Sequence, residues 1–148
     1  MPTCDYFSAT DDQAALDVLH TPGGPARAGL DVAYLKNIDP VVAIARLEAL
    51  LTGCTYEEAS RRPRSGQLLS DPDDGSGFIV SLTDTLTTAL ANATHDTLHR
   101  VAEPWSQTDE LQQTCTDAEY TADVLEALAA LAQRAHASGR RLYCRWSL

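Results

Sequence analysis

The spacing of apolar residues changes along the chain, and each change predicts an element. Over residues 117 to 137, Val124, Leu125, Leu128, Leu131, Ala132 and Ala135 recur every three or four positions, which predicts a long helix stopped by Ser138-Gly139. Beyond it the period drops to two. Leu142, Cys144, Trp146 and Leu148 alternate with Tyr143, Arg145 and Ser147, the pattern of a strand with one buried face. In the middle of the chain, Val41, Ile44, Leu47 and Leu51, flanked by Val42 and Leu50, form a broad apolar stripe interrupted only by Arg46 and Glu48. That stripe predicts a central helix from Asp39-Pro40 to Thr52. Asp39 is placed to cap the exposed amides, Pro40 supplies the right φ without wasting a donor, and Gly53 supplies the stop.

Shorter patterns fill in the remainder. Residues 3 to 8 read as a strand, followed by a helix over about 11 to 20 with Ala15, Leu16 and Leu19 on one face, ended by Thr21-Pro22-Gly23-Gly24-Pro25. A second short strand is expected over 31 to 35. Thr55-Tyr56-Glu57-Glu58 has capping-box spacing and opens a short helix that ends before Pro63. Gln67-Leu68-Leu69-Ser70 and Phe78-Ile79-Val80-Ser81-Leu82 flank a stretch of strong turn formers and read as a β-hairpin. Thr83-Asp84 caps a helix bearing Leu86, Leu90 and Ala93. Thr94 restarts helix through Leu98, Val101 and Ala102 until Pro104 ends it, leaving Trp105 in a loop. The predicted fold class is α+β, with helices packed on a small mixed or antiparallel sheet that includes the N- and C-terminal strands and a central hairpin. With no internal repeat or linker composition, residues 1 to 148 read as one domain.

Composition narrows the function classes. At 148 residues the chain can bury roughly 70% of its unfolded surface, so no metal or disulfide staple is required. Eleven basic against twenty-one acidic residues give a formal charge of −10, which repels phosphate backbones and anionic lipid surfaces and argues against nucleic-acid and membrane partners. No apolar run is long enough to span a bilayer, and Met1-Pro2-Thr3-Cys4-Asp5 lacks the basic-then-apolar pattern of an export signal, so the expected location is the cytoplasm. Cys4, Cys54, Cys115 and Cys144 form no CxxC pair and read as free thiols in a reducing compartment, against the alternative of two bridges in a secreted protein. All basic residues except Lys36 are arginine, a bias that accompanies GC-rich bacterial coding. Lys36 is therefore the one candidate for Schiff-base chemistry.

Leu50-Leu51-Thr52-Gly53 closing an apolar helix and Ser81-Leu82-Thr83 leading from strand into an alanine-rich helix form a recognisable order. With Trp105, Tyr120 and the Ala135 to Gly139 stretch before a terminal strand, that order resembles the YfbM-like family of uncharacterised small bacterial proteins. The resemblance runs from residue 40 onward. It implies an α+β fold and carries no activity, cofactor or site residue.

Four constellations could carry chemistry. His95 and His99, at i, i+4 spacing, share a helix face with Asp96 beside them and Glu103 a turn further. A metal site there needs a third ligand, for which His20 and His136 are the candidates, and the competing reading is a solvated helix face. Asp71, Asp73, Asp74 and Gly75 resemble a calcium loop, but Ser76 and Leu82 stand where an EF-hand needs Gly and Glu, which favours a polar hairpin tip. Arg61, Arg62 and Arg64 form a dense basic cluster suited to an anion or an acidic group. Alternatively they sit at helix C-termini and pair with surface carboxylates; Arg140-Arg141 is the one other basic cluster. Cys54, between a helix stop and a helix start, is placed where amides could lower a thiol pKa, but no base is identifiable and a buried structural thiol is the plainer reading.

Phosphate-loop, dinucleotide and nucleophile-elbow motifs are absent, and the acidic pairs at residues 11–12, 57–58 and 117–119 are explained by helix N-termini. No cofactor is therefore expected. The function expected from sequence is a non-enzymatic, acidic protein-binding or accessory protein of the immunity type that meets a basic partner. The alternative is a small enzyme or metal-binding protein using His95/His99 or Cys54.

Overall fold

The computed structural model describes residues 3–22, 24–27, 29–35, 38–73, 77–113 and 117–147. Gly23, Lys36, the hairpin-tip residues Asp74, Gly75 and Ser76, Cys115 and Leu148 lie outside the described residues, and with them the lysine reading and most of the calcium-loop reading. Among the described residues, seven α-helices pack on a five-stranded antiparallel sheet, which is an α+β fold. The strands are β1 (Thr3–Ala9), β2 (Val32–Tyr34), β3 (Gln67–Leu68), β4 (Phe78–Ser81) and β5 (Arg141–Ser147), in the order β2-β1-β5-β4-β3. The helices are α1 (Asp12–Asp17), α2 (Val42–Thr52), α3 (Tyr56–Ser60), α4 (Asp84–Asn92), α5 (His95–Ser106), α6 (Asp109–Gln112) and α7 (Ala118–Ala137). No described helix is long and apolar enough to cross a membrane.

The first and last strands are neighbours at the centre of the sheet, in register from Thr3 opposite Ser147 to Ala9 opposite Arg141. Alternation along them sends Cys4, Tyr6, Leu142 and Cys144 into the larger core, under α2, α4, α5 and α7. The expectation of a single buried face on β5 is corrected here. Tyr143, on the opposite face, is fully buried with Phe7, Ile79, Ala15, Val18 and Leu19 in a second, smaller core. Phe7 and Tyr143 stand directly opposite each other with rings stacked at 5.7 Å. A central strand needs cover on both faces, and α1 with the 3₁₀ turn Val18–His20 supplies the second layer.

Helix starts follow the capping residues. Asp11, Thr55, Thr83, Thr94 and Asp117 each accept a backbone amide three residues ahead. Asp39 accepts from the amides of Val41 and Val42 at 2.8 and 2.9 Å, but Pro40 lies in a turn and regular helix begins at Val42, two residues later than predicted. Gly53 closes α2 in the left-handed region at φ 71°. Just past β3 the Leu69 amide still donates to the Ile79 carbonyl at 2.8 Å, but the Ile79 amide of β4 donates to the Ser70 hydroxyl at 3.0 Å, so the regular ladder of β3 spans only two residues.

Pro104 does not end its helix. It removes one amide in the last turn of α5, whose would-be acceptor is the carbonyl of exposed Arg100, and the helix continues with Gln107 N–H donating to Glu103 O at 3.2 Å. The continuation buries Trp105 completely, and its indole N–H donates to the Ala43 carbonyl at 2.9 Å. Burial of so large a side chain, worth about 3 kcal/mol, offsets a cost of similar size for the lost amide bond and the crowding of the ring against the Arg100 carbonyl. A second anchor is Tyr6, fully buried, whose hydroxyl donates to the Ile38 carbonyl at 2.6 Å and ties β1 to the segment leading into α2. Tyr6→Phe leaves that carbonyl buried without its donor, and the expected loss is about 1–3 kcal/mol in urea unfolding with little change in the m-value.

Candidate functional site

The residues singled out from sequence fall into three separate places. Arg61 is exposed at the C-cap of α3, Arg62 turns toward α2 and α4, and Arg64 turns toward α1. The structure therefore does not bring the three guanidinium groups to one point; Arg62 and Arg64 each meet a carboxylate of the chain's own.

Arg62 meets Glu48, which lies within the apolar stripe of α2 and is 1% exposed. A buried carboxylate is costly unless every lone pair is used. Here Thr83 Oγ1 donates to Oε1 at 2.5 Å, while Thr85 Oγ1 and Arg62 Nη1 each donate to Oε2 at 2.6 Å. Thr83 also caps α4, so one hydroxyl joins the start of that helix to the middle of α2. Arg62 Nη2 lies 3.5 Å from Cys54 Sγ, and Thr52 Oγ1 lies 3.2 Å from the same sulfur. Cys54 is half-buried rather than fully buried, because it lines a hollow of about 220 Å³ with Arg46, Leu50, Tyr56 and Pro104. Among the described residues, no histidine or carboxylate hydrogen-bonds to this thiol, so the nucleophile lacks a base. With both Glu48 oxygens filled, the arrangement acts as a polar bolt joining α2, α4 and the segment after α3.

Arg64 sits at φ 73°, the one non-glycine residue in the left-handed region among those described. Its side chain forks onto Asp12, with Nη2 to Oδ1 at 2.9 Å and Nη1 to Oδ2 at 3.3 Å, and its guanidinium lies 5.6 Å over the Tyr143 ring. Tyr143 donates its hydroxyl to Asp12 Oδ1 at 2.7 Å. Arg64, then Tyr143, hold the Asp12 carboxyl below its ordinary range, whereas burial, reinforced by Asp12, pushes the Tyr143 phenol up to about 12. Burial, then Cys4, pushes the Cys144 thiol well up, which suits core residues rather than nucleophiles. Cys4, Cys54 and Cys144 are free.

The third place is the exposed side of the α5–α7 pair. His95 and His99 lie with ring centroids 4.3 Å apart, and His95 Nδ1 meets Glu126 Oε1 of α7 at 2.5 Å. One donor atom from each of the three lies within 4.8 Å of the others. Neither His20, in the turn after α1, nor His136, near the end of α7, joins them; the third member is a carboxylate thirty-one positions from His95. Asp96 and Glu103 are exposed on α5 outside this group. No local signal marks Glu126, since its position follows from helix packing. Glu48 does carry one, being four residues after Ile44 and three before Leu51, within the apolar stripe of α2.

Compared with known protein families, curated proteins and solved structures, the chain matches none.

Two outcomes follow. Arg62→Ala leaves the Glu48 carboxylate buried with two hydroxyls and no cation. The expected loss is about 2–4 kcal/mol by chemical denaturation, less than for a fully enclosed pair because the Arg62 side chain is 24% exposed. Tyr143 gives a pH signature. Above the ordinary phenol value of 10 the unfolded chain loses its proton while the folded chain keeps it to about 12, so stability falls as pH rises through that window. Tyr143→Phe is expected to flatten part of the decline in unfolding free energy measured from pH 10 to 12, leaving the shares that belong to Tyr6 and Cys144, both raised chiefly by burial.

Proposed function

We propose that the protein is a cytoplasmic, non-enzymatic accessory protein of the immunity type, which binds a basic protein partner through the acidic surface of α5, α6 and the first half of α7. The observation that carries this reading is how the chain disposes of its positive charge. Arg46, Arg62, Arg64, Arg134 and Arg141 are each paired with a carboxylate, Glu110, Glu48, Asp12, Asp31 and Asp84 in turn. Cations spent on internal pairs cannot offset the remaining acids. The residual negative charge concentrates in residues 94 to 126, which hold eight acidic residues, one of them the Glu110 paired with Arg46, against the single Arg100. Asp96, Glu103, Asp109, Asp117, Glu119 and Asp123 of that stretch are all exposed.

Such a surface steers a basic partner at long range and penalises acidic ones, nucleic acids included. Of the alternative reading, the Cys54 arm has less support, because among the described residues no histidine or carboxylate hydrogen-bonds to that thiol, whereas His95 and His99 do come together with Glu126.

The test compares the wild-type chain with a variant carrying Glu103→Gln, Glu119→Gln and Asp123→Asn, three exposed positions that cap no helix. Affinity capture from the native lysate should retain a basic protein whose binding weakens steeply with added salt, and the variant should bind it at least about tenfold more weakly, chiefly through a slower on-rate. A partner whose affinity ignores both ionic strength and these substitutions overturns the proposal.

A further inference from the structure

We infer that His95, His99 and Glu126 form a surface site for one divalent transition-metal ion, which clips α5 to α7. The inference stands on geometry alone and does not depend on the partner-binding proposal. His95 is the first residue of α5 and His99 lies one turn on, so both imidazoles project from one helix face. Their placement is fixed from beneath. Thr94 caps the helix by accepting the Thr97 amide at 3.2 Å, and Leu98, Val101 and Ala102 of α5 are buried in the same core as Ala122, Leu125, Leu128 and Ala129 of α7. Glu126 follows Leu125 on α7, and its carboxylate already touches His95.

The distances suit a metal after side-chain rotation only. Bonds of about 2.0–2.2 Å from a tetrahedral ion place donor atoms about 3.3–3.6 Å apart. The three donors here lie within 4.8 Å of one another, with the closest pair at 2.5 Å, so Glu126 must withdraw slightly and His99 must close. Both histidines are exposed and Glu126 half-buried, which leaves their rotamers free to adjust without backbone movement.

The donor set selects the ion. Two imidazole nitrogens and one carboxylate oxygen favour Zn²⁺, Cu²⁺, Ni²⁺ or Co²⁺ over Mg²⁺ and Ca²⁺, which prefer all-oxygen shells. Three protein ligands leave at least one position open. The His95 side chain is 71% exposed, so that position faces solvent and would hold water or an outside donor rather than a substrate enclosed in a cleft. A metal here also places two positive charges among the exposed carboxylates of α5 and α7.

Zinc titration of the full chain in a Cys54→Ser background, which removes a partly exposed competing thiol, tests the site. The expected result is one equivalent bound in the micromolar range, with the ring signals of His95 and His99 shifted in NMR spectra and those of His20 and His136 unmoved. His99→Ala and Glu126→Gln should each weaken binding at least about tenfold, while circular dichroism reports an unchanged fold. Glu126→Gln separates direct ligation from mere orientation of His95, because the amide keeps a hydrogen-bond acceptor but is a poor ligand. Saturating zinc should also raise the melting temperature of the parent and not of His99→Ala. No saturable binding up to millimolar zinc, binding that survives either substitution, or shifts that map to His20 or His136 would overturn the assignment.

Discussion

Pairing between the first and last strands sets the frame on which every other element is placed. The two strands run together over seven residues, and their side chains fill both cores: Cys4, Tyr6, Leu142 and Cys144 on one face, Phe7 and Tyr143 on the other. Each buried large side chain contributes about 1.5–3 kcal/mol, which makes this pair the densest source of stability in the sheet. Closing so long a loop costs little more than closing a short one, since each doubling adds only about 0.6 kcal/mol. The cost is kinetic. The sheet is complete only when its last strand pairs with its first, a long-range pairing of the kind that slows folding.

Charge is handled on a second principle. The larger core admits one carboxylate, Glu48, and surrounds it with two threonine hydroxyls and a guanidinium, while the smaller core is fringed by Asp12, Arg64 and Tyr143. Both nodes join elements distant in sequence, α2 to α4 in one and α1 to the loop after α3 and β5 in the other. Directional polar contacts at such junctions fix how layers meet, which nonspecific apolar burial leaves loosely determined. Each of these arginines is matched by one carboxylate, so the pairs leave the formal charge of −10 to the acids that remain.

Much of the fold was legible because its signals are local. Asp11, Thr55, Thr83, Thr94 and Asp117 announce helices by chemistry within three residues, and the alternation in residues 142 to 147 announces a strand. Errors arose where tertiary contacts decide. Pro104 reads as a helix end until Trp105 is seen reaching the Ala43 carbonyl, and β5 reads as half-exposed until α1 is found covering Tyr143. The site residues divide in the same way. His95 and His99 are paired by spacing along one helix, whereas Glu126 and the dispersal of Arg62 and Arg64 are set by which helices pack together. Glu48 lay between these cases, its burial written in the periodicity but masked by its charge.

The sheet's outer strands are short: three residues in β2 and two in β3, the latter's ladder ending where the Ser70 hydroxyl takes the Ile79 amide of β4. An incoming chain would find few unpaired amides and carbonyls to extend, so docking by strand addition is disfavoured and so is stacking of one molecule on another edge to edge. Any contact with another chain would then fall to side chains rather than to the backbone of the sheet.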